Sequence, residues 1–95
     1  KFNVYTLDTN FNSVSAIYFV TRRYESSSGY YNHKKIYVGE TGNLPERFDD
    51  HHKKDCFKKY NANCICVYQE NSEERRLEIE KDLYNNYKPV CNNKT

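Results

Sequence analysis

KKIYVGETGNLPERFDDHHKK, residues 34–54, decides how this chain is read. Ile36, Tyr37 and Val38 are β-branched or aromatic and Gly39 interrupts them, so they read as a short strand. A helix start follows at once. Asn43 suits the N-cap, Pro45 the first turn, and Glu46 stands three residues after Asn43, as in a capping box. The helix is expected to run on through His51. That places Arg47 and His51, four apart, on one face, with Leu44 and Phe48 as an apolar stripe. Taken alone, such an arginine–histidine pair is an ordinary solvated helix face.

Working outward, VSAIYFVTRR (14–23) reads as a strand. YESSSGYYNHKK (24–35) reads as a loop or hairpin tip, so the two flanking strands form an antiparallel hairpin. DCFKKYNAN (55–63) is a connector with room for one more helical turn. CICVYQE (64–70) is a third strand, with Cys64, Cys66 and Tyr68 on one face and Ile65 and Val67 on the other. Its near-continuous apolarity marks it as central and covered on both sides. NSEERRLEIEKDLYNNY (71–87) is the last helix, capped by Asn71 with Glu74 or by Ser72, with Leu77, Glu80, Leu83 and Tyr84 as its stripe. Tyr87 and Pro89 end it, and KPVCNNKT is a final loop. The expected fold class is α/β (α+β): a small three-stranded antiparallel sheet flanked by helices, in the order β-β-α-β-α. One domain is expected over 1–95, with a core of about 14–93. Residues 1–13 form an N-terminal extension, either an extra strand or an ordered arm.

Composition narrows the function classes. Hydrophobic residues make up 37% of the 95, so the core is small. The mean hydropathy is -1.07, and no apolar run is long enough to span a bilayer, so a membrane partner is not expected. The net charge of +2 permits a nucleic-acid partner without demanding one. Its distribution is uneven: Lys34, Lys35, Arg47, Lys53, Lys54, Lys58 and Lys59 fall in the middle third, and most acids lie later. The four cysteines, Cys56, Cys64, Cys66 and Cys91, contain no C-x-x-C pair, which argues against a zinc ribbon. Free, partly buried thiols in a reducing, intracellular compartment are expected, with disulfides as the alternative that an even count permits.

Some residues carry chemistry rather than packing. Glu80 lies on an apolar stripe, where a carboxylate must be paired or must bind a cation. A single carboxylate with open coordination positions suits Mg²⁺, which keeps several waters and takes the rest from phosphate. Arg47 offers a planar fork for phosphate, and His51 can position or shuttle a proton near neutral pH. His33 and His52 read as ordinary surface histidines. Of ten tyrosines, most are packing residues, but Tyr18 and Tyr37 lie on the two paired strands, beside the first helix.

These landmarks, in order, resemble the GIY-YIG nuclease superfamily. AIY stands at 16–18 and YVG at 37–39, Arg47 is eight after Gly39, and His51 follows four later. EKDLYNNYKPVCN is similar to the family's Glu-x-x-Leu-x(5)-Pro-x-x-Asn ending and places Glu80 and Asn92. The resemblance implies a metal-dependent endonuclease that uses a tyrosine-activated water and one divalent ion, Mg²⁺ or Mn²⁺. It implies that Tyr18 partners the attacking water, with Tyr37 beside it. Arg47 would hold the scissile phosphate, His51 would orient or deprotonate the tyrosine–water pair, Glu80 would bind the metal, and Asn92 would brace the site. Gly39 would allow close packing, while Glu40, Thr41 and Asn43 are given only turn and capping roles. Ala16 departs from the usual glycine, and the stretch between the two motifs is longer than in compact members. That stretch carries Arg22, Arg23, Lys34, Lys35 and three tyrosines, which with Lys53 and Lys54 are candidates for binding nucleic acid: cations follow the backbone and tyrosines stack on bases. The expected substrate is DNA, single-stranded or branched, with RNA as the other candidate. The competing function is a nucleic-acid-binding module of the same fold that has lost catalysis.

Overall fold

The chain alternates between two ways of hiding apolar surface. Along Ala16–Glu25, residues 16, 18 and 20 pack to one side and 17 and 19 to the other, so the sheet has two buried faces. The computed structural model describes residues 2–49 and 51–92. Its strands are β1 (Asn3–Thr6), β2 (Ala16–Glu25), β3 (Tyr31–Thr41) and β4 (Cys64–Gln69). The helices are α1 (Leu44–Asp49), α2 (Lys54–Lys59) and α3 (Glu73–Tyr87), followed by a 3-10 turn, Val90–Asn92. All the pairings are antiparallel, and the strand order is β1-β4-β2-β3.

The sheet therefore has four strands where three were expected. The extra strand comes from the N-terminal extension, where Asn3–Thr6 pairs with Val67–Cys64. Its exposed residues gave no buried alternation to read; β4 needed a partner on its open side. Residues 93–95, including the expected core boundary at 93, lie outside the described residues.

Leu44, Phe57 and Cys91 cover one face of the sheet, over Ala16, Tyr18, Val20, Ile65 and Val67. Ile79, Leu83 and Tyr84 of α3 cover the other, over Ile17, Phe19, Val38 and Cys66. Leu77, expected on the packed stripe of α3, is instead exposed, and the buried position is Arg76. Capping follows the sequence: Asn43 Oδ1 accepts the Glu46 N–H at 3.4 Å, and Ser72 Oγ accepts the Arg75 N–H at 3.3 Å.

The stretch expected as a loop between the first two strands is mostly paired strand. Arg22 faces Lys34, Arg23 faces His33 and Glu25 faces Tyr31, and a tight turn closes at Ser26–Tyr30. The cysteines divide. Cys64 and Cys66 are free and buried, as expected, whereas Cys56 and Cys91 form a disulfide. The free-thiol expectation fails for that pair because α2 and the C-terminal turn, 35 residues apart in sequence, pack against each other. Among the described residues no helix is long and apolar enough to cross a membrane.

Candidate active site

β3 is an edge strand, and a single extra residue aims its tyrosine. Val20 faces Tyr37 and Thr21 faces Lys35, leaving Ile36 as a bulge. Ile36 and Tyr37 consequently both pack on the α1/α2 side of the sheet. Two residues on, Gly39 faces Tyr18 across the ladder. A Cβ on Gly39 would lie 2.6 Å from Tyr18 Oη, 2.7 Å from Tyr18 Cζ and 2.9 Å from Tyr37 Cε2. The bare backbone of Gly39 is thus the floor on which the Tyr18 hydroxyl rests.

His51 reaches that hydroxyl by a route other than the one expected. α1 ends at Asp49, so Arg47 and His51 do not share a helical face. His51 lies past the helix and is 4% exposed. Its Nε2 is 2.7 Å from Tyr18 Oη, and its Nδ1 accepts the Lys53 backbone N–H at 3.1 Å. Tyr37 and Phe57 pack on its ring, each with centroids 4.9 Å away. His52, read from the sequence as an ordinary surface residue, stacks on His51 at 4.9 Å and 11°.

The electrostatics join the remaining residues to this hydroxyl. Burial raises the Tyr18 pKa, as do Tyr37 and Glu80, while the Arg47 guanidinium lowers it by charge and by hydrogen bonding. Burial raises Tyr37 too, reinforced by Glu80 and opposed by Arg47. Both phenols are therefore protonated near neutral pH. Burial lowers the His51 pKa to about 4, helped by His52, Arg47, Lys54 and Lys53, so its imidazole is neutral. Arg47 itself is exposed, beside Thr41, Gly42, Asn43 and Glu46.

Tyr37, Glu80, Lys81, Tyr84 and Asn92 line a cleft of about 400 Å³ at the edge of β3. Asn92 acts as a strand mimic: its Oδ1 accepts the Val38 N–H at 2.8 Å and its Nδ2 donates to the Val38 carbonyl at 2.9 Å. Each amide group gives one bond to the backbone, so Asn92 braces β3 at Val38. The disulfide at Cys91 anchors this clamp to α2.

The donor set decides what metal the cleft could take. Among the described residues no group of three or more His, Cys, Asp or Glu could enclose an ion. Among the described lining residues Glu80 is the one carboxylate, which suits an ion that keeps most of its water and borrows phosphate oxygens. The residues fit Mg²⁺ or Mn²⁺ on that basis and do not fit a closed zinc site.

The candidate nucleic-acid residues fall into two groups. Lys53 and Lys54 lie beside His51, near enough to depress its pKa. Arg22, Arg23, Lys34 and Lys35 lie along the paired strands of the hairpin. Arg22 Nη1 donates to the Asn61 carbonyl at 3.2 Å, Arg23 lies 4.9 Å from the Tyr31 ring, Lys34 5.5 Å from Tyr60 and Lys35 4.7 Å from Tyr87. His33, also read as an ordinary surface residue, is partly buried with Nδ1 2.9 Å from Thr21 Oγ1.

One pair escaped the sequence reading. Arg76 is 5% exposed, and its Nε donates to Glu40 Oε1 at 3.0 Å. Its Nη1 donates to the carbonyls of Glu70 and Asn71, each at 3.0 Å. It ties the start of α3 to the end of β3 and so sets where Glu80, one turn further on, meets Tyr37. No local pattern signalled it, because the two partners lie 36 residues apart.

Comparisons with curated proteins and with solved structures found no match. The sequence model of the GIY-YIG catalytic domain matches residues 15–95. That span takes in both tyrosine strands, Gly39 beside their rings, and Arg47, His51, Glu80 and Asn92. By the match of that whole span, the chain belongs to the GIY-YIG nuclease superfamily.

Proposed function

We propose that this chain is a metal-dependent phosphodiesterase that hydrolyses DNA through a tyrosine-activated water. The observation that carries the reading is the Tyr18 hydroxyl: buried, 2.7 Å from His51 Nε2, and within the fields of Arg47, Tyr37 and Glu80 at once. A structural tyrosine needs one partner, whereas this one gathers a cation, a carboxylate, a second phenol and an imidazole.

In this reading Arg47 binds the scissile phosphate with its planar fork and stabilises the charge that builds there. Tyr18 Oη orients the attacking water and takes its proton. Tyr37 bounds the other side of the phosphate and keeps bulk water out. Glu80 would hold one Mg²⁺ or Mn²⁺ ion, which when bound supplies charge neutralisation at the phosphate oxygens. The Glu80 charge raises both phenol pKa values, so its neutralisation favours ionisation of Tyr18. Asn92 holds β3 at Val38, so that Tyr37 and Gly39 keep their places. Along the hairpin, Tyr24, Tyr30 and Tyr31 are 48%, 75% and 63% exposed beside Arg22, Arg23, Lys34 and Lys35. Exposed rings among cations favour unpaired bases, hence single-stranded or branched DNA.

The test is cleavage of labelled single-stranded, duplex and branched DNA and of RNA, each in Mg²⁺, Mn²⁺ and EDTA. Folded Arg47→Ala and Glu80→Ala variants are expected to lose at least about 10²–10³ in kcat. Retained activity in folded Glu80→Ala would overturn the one-metal assignment. Binding without any cleavage would identify a silent binding module instead.

A further inference from the structure

A phenol and an imidazole 2.7 Å apart can share a proton in either direction. Here the other ring nitrogen decides which. The Lys53 backbone N–H points at His51 Nδ1 from 3.1 Å, and a backbone amide nitrogen only donates. Nδ1 therefore presents its lone pair. A neutral imidazole carries one N–H, so that proton is on Nε2 and Tyr18 Oη accepts it. The opposite polarity would set an Nδ1–H against the Lys53 N–H, two donors facing each other with no acceptor between them. Among the described residues, the groups that bear on the ring are phenols and cations, Tyr18 and Tyr37 from the strands, Arg47 from α1, and His52, Lys53 and Lys54 from the following chain, and they favour its neutral form. The Arg47 charge also acts on Tyr18 and lowers its pKa. With His51 donating, the hydroxyl's own proton is turned away from that ring.

We infer that His51 is a positioning residue that donates its Nε2 proton to Tyr18 Oη, holding the ring and stabilising the phenolate, and that it never accepts the Tyr18 proton. The inference rests on the phosphodiesterase reading. The Tyr18 proton leaves to solvent hydroxide before attack. As the water oxygen bonds to phosphorus and the bond to the leaving oxygen breaks, Oη takes one proton from that water and the leaving oxygen takes one from solvent. His51 keeps its Nε2 proton throughout.

The first measurement is a long-range ¹H–¹⁵N correlation spectrum of the full chain at neutral pH. Expected for His51 are a protonated Nε2 and an unprotonated Nδ1; the reverse pattern overturns the inference. The second uses two substitutions. Glutamine keeps an N–H donor near the Nε2 position but has no basic nitrogen, and phenylalanine keeps neither. His51→Gln is expected to cleave within about 10-fold of wild type and His51→Phe to lose about 10²–10³ in kcat, the cost of removing one donor from a developing anion. If both variants fold and His51→Gln is as inactive as His51→Phe, a basic nitrogen is required and the donor role is wrong. Absence of cleavage by the wild type on every substrate overturns the phosphodiesterase reading, while the spectrum alone still decides the polarity of the bond.

Discussion

Gly39 and His51 show how single residues set this site. The hydrogen of Gly39 occupies space that no side chain can share with the Tyr18 ring. Gly39→Ala should therefore push Tyr18 off the strand and destabilise the fold by about 1–3 kcal/mol, as overpacking does. Thermal unfolding and the Tyr18 ring resonances report both effects, and an unshifted ring in a stable Ala variant would contradict the packing account. His51 makes a pH prediction. Its pKa is lowered from 6.5 to about 4 in the fold, chiefly by burial. Between those values the unfolded chain binds a proton that the folded chain refuses, so stability rises with pH across this window and is lost as pH falls through it. His33, lowered by burial, Arg23 and Lys35, acts with the same sign. The unfolding midpoint should drop between pH 7 and pH 5, before most carboxylates titrate, and His51→Gln should flatten that slope. An equally steep slope in the variant would assign it elsewhere.

At the scale of elements, the C-terminal turn is the small piece on which the cleft depends. It clamps Val38 through Asn92 and is fastened to α2 through Cys91 and Cys56. α2 in turn supplies Phe57, which packs on His51. Closing a loop of 35 residues stabilises a fold by about 3–4 kcal/mol in the chain-entropy account. Reduction, or a Cys56→Ser/Cys91→Ser variant, should lower the unfolding free energy by about that amount and speed hydrogen exchange at the Val38 amide. Thiol titration of the native protein offers a direct check: it should count Cys64 and Cys66 only after denaturation, with Cys56 and Cys91 appearing only after reduction.

For the whole molecule, the question is where charge meets substrate. The basic residues form one group whose charges bear on His51, Arg47, Lys53 and Lys54, and another along the β2–β3 hairpin. If both touch phosphate, each contact removed should lower the salt slope of binding by about 1. Arg22→Ala and Lys34→Ala are expected to weaken binding to all sequences alike and to flatten the plot of log K against log salt, leaving kcat on bound substrate largely intact. A slope unchanged in the double variant would confine the substrate to the cleft. The sequence itself determined much of this protein. Alternation in AIYFV and CICVY fixed two-faced strands, Asn43 and Ser72 fixed helix starts, and the ordered tyrosines, Arg47, Glu80 and Asn92 pointed to the family, because local periodicity, capping and motif spacing are written in neighbouring residues. It did not determine what depends on meetings between distant segments. β1 joined the sheet only because β4 had an open side, Cys56 paired with Cys91 only where α2 and the final turn packed together, and Arg76 became a buried anchor by meeting Glu40. Tertiary structure also decided the site's chemistry: His51 left the helix, was buried against Tyr37 and Phe57, and had its donor direction set by the single backbone N–H of Lys53, since a proton's position follows from which partners surround both ring nitrogens.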